Sequence, residues 1–242
     1  MAAAGLMWWI AAAAMLLAGL PLADAWRYNQ RTALAHAIAW ATAAWLAWLT
    51  AAIGDWPAVH YLALCLTGCA GIAVLGARRP GVGAWNFVVA GLLVVLLRPL
   101  WETADRELGP VYLYFLGAVL AVPLLNYLPT RLGPAAVVLG CGCALQMPCP
   151  QWRIGILLVA LAPWTAWLMV RRRRAASELD RLWLSYRDRL GYLWASRVRQ
   201  QFNTAAVHAG WTARLAWNGM EGDSPAEALT TLRAVLKRFA LD

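Results

Sequence analysis

The sequence predicts an all-α polytopic membrane protein with about seven transmembrane helices and a small cytoplasmic helix-strand-helix tail. Hydrophobic residues make up 62% of the chain and charged residues only 14%, whereas about a quarter of the residues in a soluble domain are charged. An uncharged run over residues 154–170 ends at four consecutive arginines, Arg171 to Arg174, and the sequence beyond them is amphipathic. We therefore divide the chain into a transmembrane helical bundle, residues 1–170, and a cytoplasmic amphipathic tail domain, residues 171–242.

Seven stretches of the first domain approach the length of about 20 apolar residues that a helix needs to cross a bilayer. Their bounds are Ala3–Ala23, Ala33–Ile53, Pro57–Ala77, Val82–Leu97, Val111–Leu128, Leu132–Cys149 and Ile154–Val170. The sixth is the weakest, because it is short and contains Gln146 and two prolines. The sequence leaves open whether residues 132–149 cross the whole membrane.

The loop arginines predict the orientation, because positive residues gather on the cytoplasmic side of membrane proteins. With the amino terminus outside, nine arginines fall at cytoplasmic edges and three at outer edges. The cytoplasmic set is Arg27, Arg31, Arg78, Arg79, Arg131 and Arg171 to Arg174, and the outer set is Arg98, Arg106 and Arg153. We expect a multi-pass protein of a bacterial inner (cytoplasmic) membrane with a cytoplasmic carboxyl terminus. This distribution explains the net charge of +9 without a nucleic acid partner.

The first span has one alternative reading, since Ala23-Asp24-Ala25 resembles a signal-peptidase site after an apolar run. Cleavage there would leave six spans that start outside, and the four-arginine cluster would then have to cross the membrane. The stretch also lacks the positively charged segment that begins a signal peptide. We therefore predict that the first span is retained.

The tail begins with apolar residues at steps of three and four, a spacing that predicts one long amphipathic helix. The stripe is Leu179, Leu182, Trp183, Tyr186, Leu190, Leu193, Trp194, Val198, Phe202 and Ala205. Gly210 is placed to end this helix. The sequence thus predicts a helix from the last span to about residue 209.

The rest of the tail predicts one strand and one helix. Residues 211–217 alternate between apolar and polar side chains before Asn218-Gly219, as a short strand does. Ser224, Pro225 and Glu227 have the order of a capping box at the start of a final helix that reaches about Ala240. A lone strand has unpaired edges, so we expect it to pair with a second copy or another subunit.

Two histidines are candidate metal or haem ligands, because neutral imidazoles bind these groups. His36 lies near the inner end of the second span and His60 near the outer end of the third. Residues at opposite ends of antiparallel spans are roughly 25 Å apart at 1.5 Å per residue, so they cannot share one metal. We interpret each as an interfacial or packing residue.

The cysteines are the other candidate ligands. Cys65 and Cys69 are four residues apart on one helix face, but with Ala73 and Ala77 they form a small-residue stripe typical of close helix packing. Cys141, Cys143 and Cys149 could form a disulfide, bind soft copper with Met147, or only pack. Five cysteines cannot all pair within one chain.

Deep tryptophans and polar residues complete the candidates. Trp8, Trp9, Trp40, Trp45, Trp48, Trp164 and Trp167 lie within spans. They could form an aromatic wall for a lipid, quinone or porphyrin, but we favour helix packing because no polar anchor group accompanies them. Asn86 and Asn126 are the chief buried polar residues, and we expect hydrogen bonds between helices from them.

Our leading functional hypothesis is a non-catalytic structural, assembly or regulatory subunit. Its tail, over residues 175–242, would dock another membrane or cytoplasmic protein or a second copy. One alternative is a small-molecule or lipid transporter, with a path at Asn86 or Asn126 and the spans broken by Pro123 and Pro163. A second alternative is a membrane enzyme that uses Cys141, Cys143 or Cys149 with His60 at the outer face. We expect no catalytic residue, cofactor or metal.

Overall fold

The computed structural model describes residues 2–54, 56–78, 81–102, 109–147, 153–172, 177–223, 225 and 227–237. Its helices are α1 (Ala2–Asn29), α2 (Ala35–Ile53), α3 (Pro57–Leu75), α4 (Val82–Leu97), α5 (Pro99–Glu102), α6 (Pro110–Tyr127), α7 (Gly133–Gln146), α8 (Arg153–Arg171), α9 (Glu178–His208) and α10 (Glu227–Leu236). Its strands are β1 (Arg214–Ala216) and β2 (Gly219–Glu221). The described chain is therefore mostly helical, as the sequence predicts.

Six helices in the described residues are long and apolar enough to cross a membrane: α1, α2, α3, α4 together with α5, α6 and α8. The prediction of a sixth span over Leu132–Cys149 is too long, because α7 contains only 14 residues. At 1.5 Å per residue α7 is about 21 Å long, which is shorter than the hydrocarbon core of about 30 Å. Pro148 and Cys149 lie outside the described residues.

Successive long helices run in opposite directions, and α7 follows the same alternation. The first residue of α7, Gly133, lies against the Leu128 carbonyl at the end of α6. Its last residue, Gln146, is bonded to His60 in the first turn of α3. Four helices, α1, α3, α6 and α8, end at the same end of the bundle, which we call the tail end. We call the opposite end the far end. Although α7 is short, it extends from the tail end to the far end of the bundle.

Small residues bring neighbouring helices together. Gly68 and Gly71 of α3 lie against Val119 and Pro123 of α6, and a Cβ atom on Gly68 would lie 2.8 Å from Val119. Gly142 of α7 lies against the backbone of α8, where an added Cβ atom would be 2.9 Å from the Gly155 carbonyl oxygen. Such close approach is typical of membrane helices, which gain stability from backbone contact rather than from water exclusion.

The long tail helix is broken, which the apolar stripe does not predict. Gly191 has φ 78° and ψ −170° inside α9, a conformation that a residue with a Cβ atom rarely adopts. Most of the stripe is confirmed, since Trp183, Tyr186, Leu190 and Phe202 are all buried, whereas Leu193 is 38% exposed. The predicted helix therefore becomes two segments that share one core.

The strand prediction is incomplete, because β1 pairs with β2 of the same chain. The two strands are antiparallel, and Ala216 opposite Gly219 closes a two-residue turn. The outer edge of β1 is also occupied: the Asn203 carboxamide donates to the Leu215 carbonyl at 3.1 Å and accepts from the Leu215 amide at 2.7 Å. On the outer edge of β2, the Met220 amide donates to Asp180 Oδ1 at 2.8 Å.

The prediction of a lone strand is therefore wrong, and the expectation that it pairs with a second copy or another subunit loses this basis. Side chains of α9 bond the outward amide and carbonyl of Leu215 and the outward amide of Met220, groups that an unpaired strand would offer to another chain. The tail is thus helix, hairpin and helix. Its final helix, α10, runs from Glu227 to Leu236, so it begins two residues after the start at Pro225 that the capping box predicts. Ser224 and Ala240 lie outside the described residues.

We expect Asn203→Ala to destabilise the tail by about 1 kcal/mol, since it removes two hydrogen bonds to β1 that contribute about 0.5–1.5 kcal/mol each, with water replacing part of the loss. It should also raise the concentration-dependent self-association of the purified chain, because the edge of β1 becomes free. Thermal unfolding and light scattering in detergent measure the two effects. Thr204→Ala, at the exposed neighbouring position, is the control, and equal behaviour of the two variants would contradict the role of Asn203.

Candidate functional site

The tail is attached to the tail end of the bundle through one buried asparagine. The side chain of Asn126, in the last turn of α6, donates to the Leu190 carbonyl at 3.2 Å and accepts from the Leu193 amide at 2.9 Å. These two groups lie on either side of Gly191, where the break in α9 interrupts the helical hydrogen bonds. Because buried backbone groups need partners, Asn126 stabilises the break and fixes the tail to α6 at the same point.

Three aromatic side chains add hydrogen bonds to this attachment. Tyr127 donates from its hydroxyl to the Arg189 carbonyl at 2.8 Å. The Trp194 indole donates to the Leu75 carbonyl at the end of α3 at 3.0 Å. The Trp217 indole, in the turn of the hairpin, donates to the Pro129 carbonyl at 2.7 Å. These carbonyls lie at helix ends, where the backbone has unsatisfied acceptors.

A buried ion pair connects the hairpin, α9 and the loop after α6. The Arg187 guanidinium donates to Asp188 Oδ1 from Nε at 3.0 Å and from Nη2 at 2.9 Å, and from Nη1 to the Trp217 carbonyl at 2.6 Å. The backbone amide of Arg131 donates to the same Asp188 oxygen at 3.4 Å. Since a buried ion pair contributes more to a defined geometry than to net stability, we interpret this network as a positioning device. We call the contacts of Asn126, Arg187, Asp188, Trp194 and Trp217 the tail junction.

Burial also affects the ionisable groups of the junction. It raises the pKa of the Tyr186 phenol, although Arg78 nearby lowers it in part. It lowers the pKa of Arg189, and Tyr28 partly offsets this effect. The phenol of Tyr186 is therefore neutral at physiological pH and acts as a packing group.

A second polar cluster lies at the far end of the bundle. His60 Nδ1 is 3.0 Å from Gln146 Oε1, and both side chains are buried. Arg153, at the start of α8, donates to the Ala51 carbonyl at 3.1 Å and has its guanidinium carbon 3.1 Å from the centre of the Trp8 ring. A buried arginine is costly in a membrane helix unless polar and aromatic groups receive it. This cluster connects α1, α2, α3, α7 and α8.

The histidines lie at opposite ends of the bundle, as the spacing predicts. His60 belongs to the far-end cluster. His36 Nδ1 is 2.7 Å from the Asn86 amide nitrogen, and Asn86 accepts from the Trp40 indole at 3.0 Å. Both predicted asparagines therefore form hydrogen bonds between helices. Their bonds join α2 to α4 and α6 to α9.

Four of the five cysteines lie in the described helices. Cys65, Cys69 and Cys143 are buried and Cys141 is exposed, and none of these four forms a disulfide. The proposed ligand Cys149 lies outside the described residues, whereas Met147 follows the end of α7. Within the described ranges, no group of three or more His, Cys, Asp or Glu residues could hold a metal ion.

The transporter alternative relied on Pro123 and Asn126 as parts of a path. Pro123 is buried against Gly71, and Asn126 is bonded to the tail. Both side chains therefore serve packing and attachment.

Comparison of the chain with models of known protein families, with characterised proteins and with solved structures found no match.

Sequence reasoning missed two residues that organise these sites. Arg153 was assigned to a loop, but it begins α8 and is 9% exposed. Gly191 lies inside an uninterrupted apolar stripe, so nothing in the periodicity identifies it. For Gly191 the available signal was the glycine itself, which destabilises a helix interior. For the far-end cluster it was Gln146, a polar residue in the weakest apolar stretch.

The first helix contacts the bundle along its whole length, which bears on the predicted retention of the first span. Besides the contact of Trp8 with Arg153, the Trp45 indole donates to the Met15 carbonyl at 2.7 Å. The Trp167 indole donates to Asp24 Oδ2 at 3.2 Å. The segment that cleavage after Ala25 would remove thus supplies contacts at both ends of α8. Intact mass spectrometry should show residues 1–25 retained, and a mature chain that begins at Trp26 would contradict this prediction.

Proposed function

We propose that this chain is a non-catalytic structural, assembly or regulatory subunit of a bacterial inner-membrane complex, and that its cytoplasmic tail docks a partner protein. The observation that carries the proposal is the tail junction. A flexible tail needs no buried ion pair, indole bonds or broken helix to stay near the membrane. A tail held at a defined angle presents a partner with a surface of defined position relative to the spans.

The proposal includes seven spans with the amino terminus outside. Support comes from the alternating directions of the long helices, in which α1 and α8 run parallel and α7 occupies the position of a sixth crossing. Arg27, Arg78, Arg131 and Arg171 all lie near the tail end, which agrees with a cytoplasmic location of that end. The bilayer next to α7 would be thinner, or a partner would cover it.

The surface of the tail supports a docking role. Two open grooves lie on the tail. One, of about 490 Å³, runs between α9 and α10 beside Gln201 and Thr230. The other, of about 680 Å³, lies between the second segment of α9 and β1. Catalytic pockets for small molecules are usually enclosed, whereas both of these grooves are open.

Native mass spectrometry of the chain, extracted gently from its own membranes, tests the proposal. We expect a complex of defined stoichiometry that contains a second kind of protein. A chain found alone, or as a homo-oligomer with a bound small molecule or metal, would overturn the docking function.

Site-specific photo-crosslinking then locates the contact. A photoreactive residue at Thr204 or Thr230 on the tail should label that partner in intact cells. The same residue at Phe87, which is 82% exposed on the outer side of α4, is the matched control and should label lipid. Labelling of the partner from Phe87 and not from the tail would contradict a docking role of the tail.

A further inference from the structure

The groove between the second segment of α9 and β1 carries two arginines without a carboxylate partner. Arg199 and Arg214 both line it, and neither takes part in the ion pairs that the described residues form. Arg214 is exposed, and the Arg199 guanidinium lies 5.8 Å from the centre of the Trp217 ring. One carboxylate, Glu221, also lines the groove. Glu221 lies opposite Arg214 across the hairpin, so the arginines and the carboxylate that line the groove carry one net positive charge together.

A hydroxyl group without a partner adjoins these charges. Ser196 Oγ is buried and forms no hydrogen bond within the described ranges, although Ser196 lines the groove. A buried hydroxyl without a partner is unfavourable, so rotation of the Ser196 side chain toward an acceptor bound in the groove would be favourable. Guanidinium groups form short, strong hydrogen bonds with carboxylates, often through two parallel N–H···O bonds. The donor set thus favours an acidic ligand.

The shape of the groove indicates a chain rather than a small molecule. Its lining runs along one face of α9 from Tyr192 to His208, a distance of about 24 Å at 1.5 Å per residue. An extended segment of about seven residues has this length. Because Asn203 occupies the edge of β1, such a segment would be bound through its side chains and not as an added strand.

We propose that this groove binds an acidic segment of the partner protein, an inference that rests on the docking function proposed above. A second copy of the chain is the wrong occupant, because residues 171–242 contain 13 Lys or Arg and only 7 Asp or Glu and would repel each other. An anionic lipid surface would meet the same arginines, but an elongated groove with an aromatic ring at Tyr192 and a buried hydroxyl matches a peptide better than a flat surface.

Fluorescence anisotropy with the full chain in nanodiscs of zwitterionic lipid tests the groove directly. The probe is a labelled ten-residue peptide of alternating glutamate and alanine, and its glutamine counterpart is the control. We expect the glutamate peptide alone to bind. Arg199→Gln and Arg214→Gln should each weaken binding about fivefold, and salt should weaken it further. Arg181→Gln, at an exposed tail arginine outside the groove, should leave the affinity unchanged.

The other outcomes are distinguishable. Equal loss of affinity in Arg181→Gln, or no loss in the groove variants, would overturn the proposal. So would preferential binding of anionic vesicles, inorganic phosphate or ATP that depends on Arg199 and Arg214. If the native partner is labelled from Thr230 and its binding withstands both groove substitutions, the groove proposal fails while the docking function stands. If native mass spectrometry finds no partner, the docking function fails whatever the peptide does.

Discussion

Replacing Gly191 by alanine should release the tail from the bundle. The added Cβ atom would collide with the Asn126 side chain, and φ of 78° is unfavourable for alanine. The backbone strain costs about 1–3 kcal/mol, and loss of two hydrogen bonds to Asn126 costs about 0.5–1.5 kcal/mol each. We expect a total of roughly 2–6 kcal/mol. Hydrogen exchange of the Leu193 amide, which donates to Asn126, should become faster, and limited proteolysis should cut the tail sooner.

Gly210 provides the matched control for this experiment. It also has a positive φ, 72°, but no heavy atom lies within 4 Å of the position of an added Cβ atom. Gly210→Ala therefore adds the backbone strain alone and should leave the exchange of the Leu193 amide unchanged. Combining Gly191→Ala with Asn126→Ala should cost less than the sum of the two changes, because the collision is partly removed. Additive costs would argue against the contact as the cause.

Replacing Trp8 by leucine should loosen the far end of the bundle. The Arg153 guanidinium lies against the Trp8 ring and away from water, where a cation–π contact contributes about 2 kcal/mol or more. Leucine would leave the cation without this contact. We expect a loss of about 2 kcal/mol, measured by thermal unfolding in detergent, together with faster proteolysis at the amino terminus.

The neighbouring tryptophan makes this test specific. Trp9 is 77% exposed on the outer surface of α1, so Trp9→Leu exchanges one exposed apolar side chain for another. Its effect on stability should lie within about 0.5 kcal/mol. Equal destabilisation by Trp8→Leu and Trp9→Leu would show that tryptophan content, and not the contact with Arg153, stabilises the first helix.

The spans were predictable because apolar length is a local property. The predicted Val82–Leu97 matches α4 at both ends, and Pro57–Ala77 and Val111–Leu128 differ from α3 and α6 by two residues or fewer at each end. Prolines and glycines at the helix ends set these bounds. The sixth span was predicted too long, since its last apolar residues follow Gln146, where α7 stops.

The sites were not predictable to the same extent, because they depend on contacts between distant residues. Asn126 was identified as a buried polar residue, but its partners Leu190 and Leu193 lie 64 and 67 residues later in the chain. The return strand β2 was missed because Met220 is the only large apolar residue in it. Asn218-Gly219 at the turn was a hairpin signal that indicated a second strand.

The contacts between α1 and α8 have a consequence for how the protein is made. About 145 residues separate Trp8 from Arg153, so a ribosome that adds 5–20 residues per second needs roughly 7 to 30 s to deliver the second after the first. During this interval α1 has α2 as a neighbour but not the helix that contacts it at both ends. A nascent chain released before α8 is made therefore exposes Asp24 and the side of α1 that α8 covers in the complete bundle. Completion of the bundle is thus determined by its last helix.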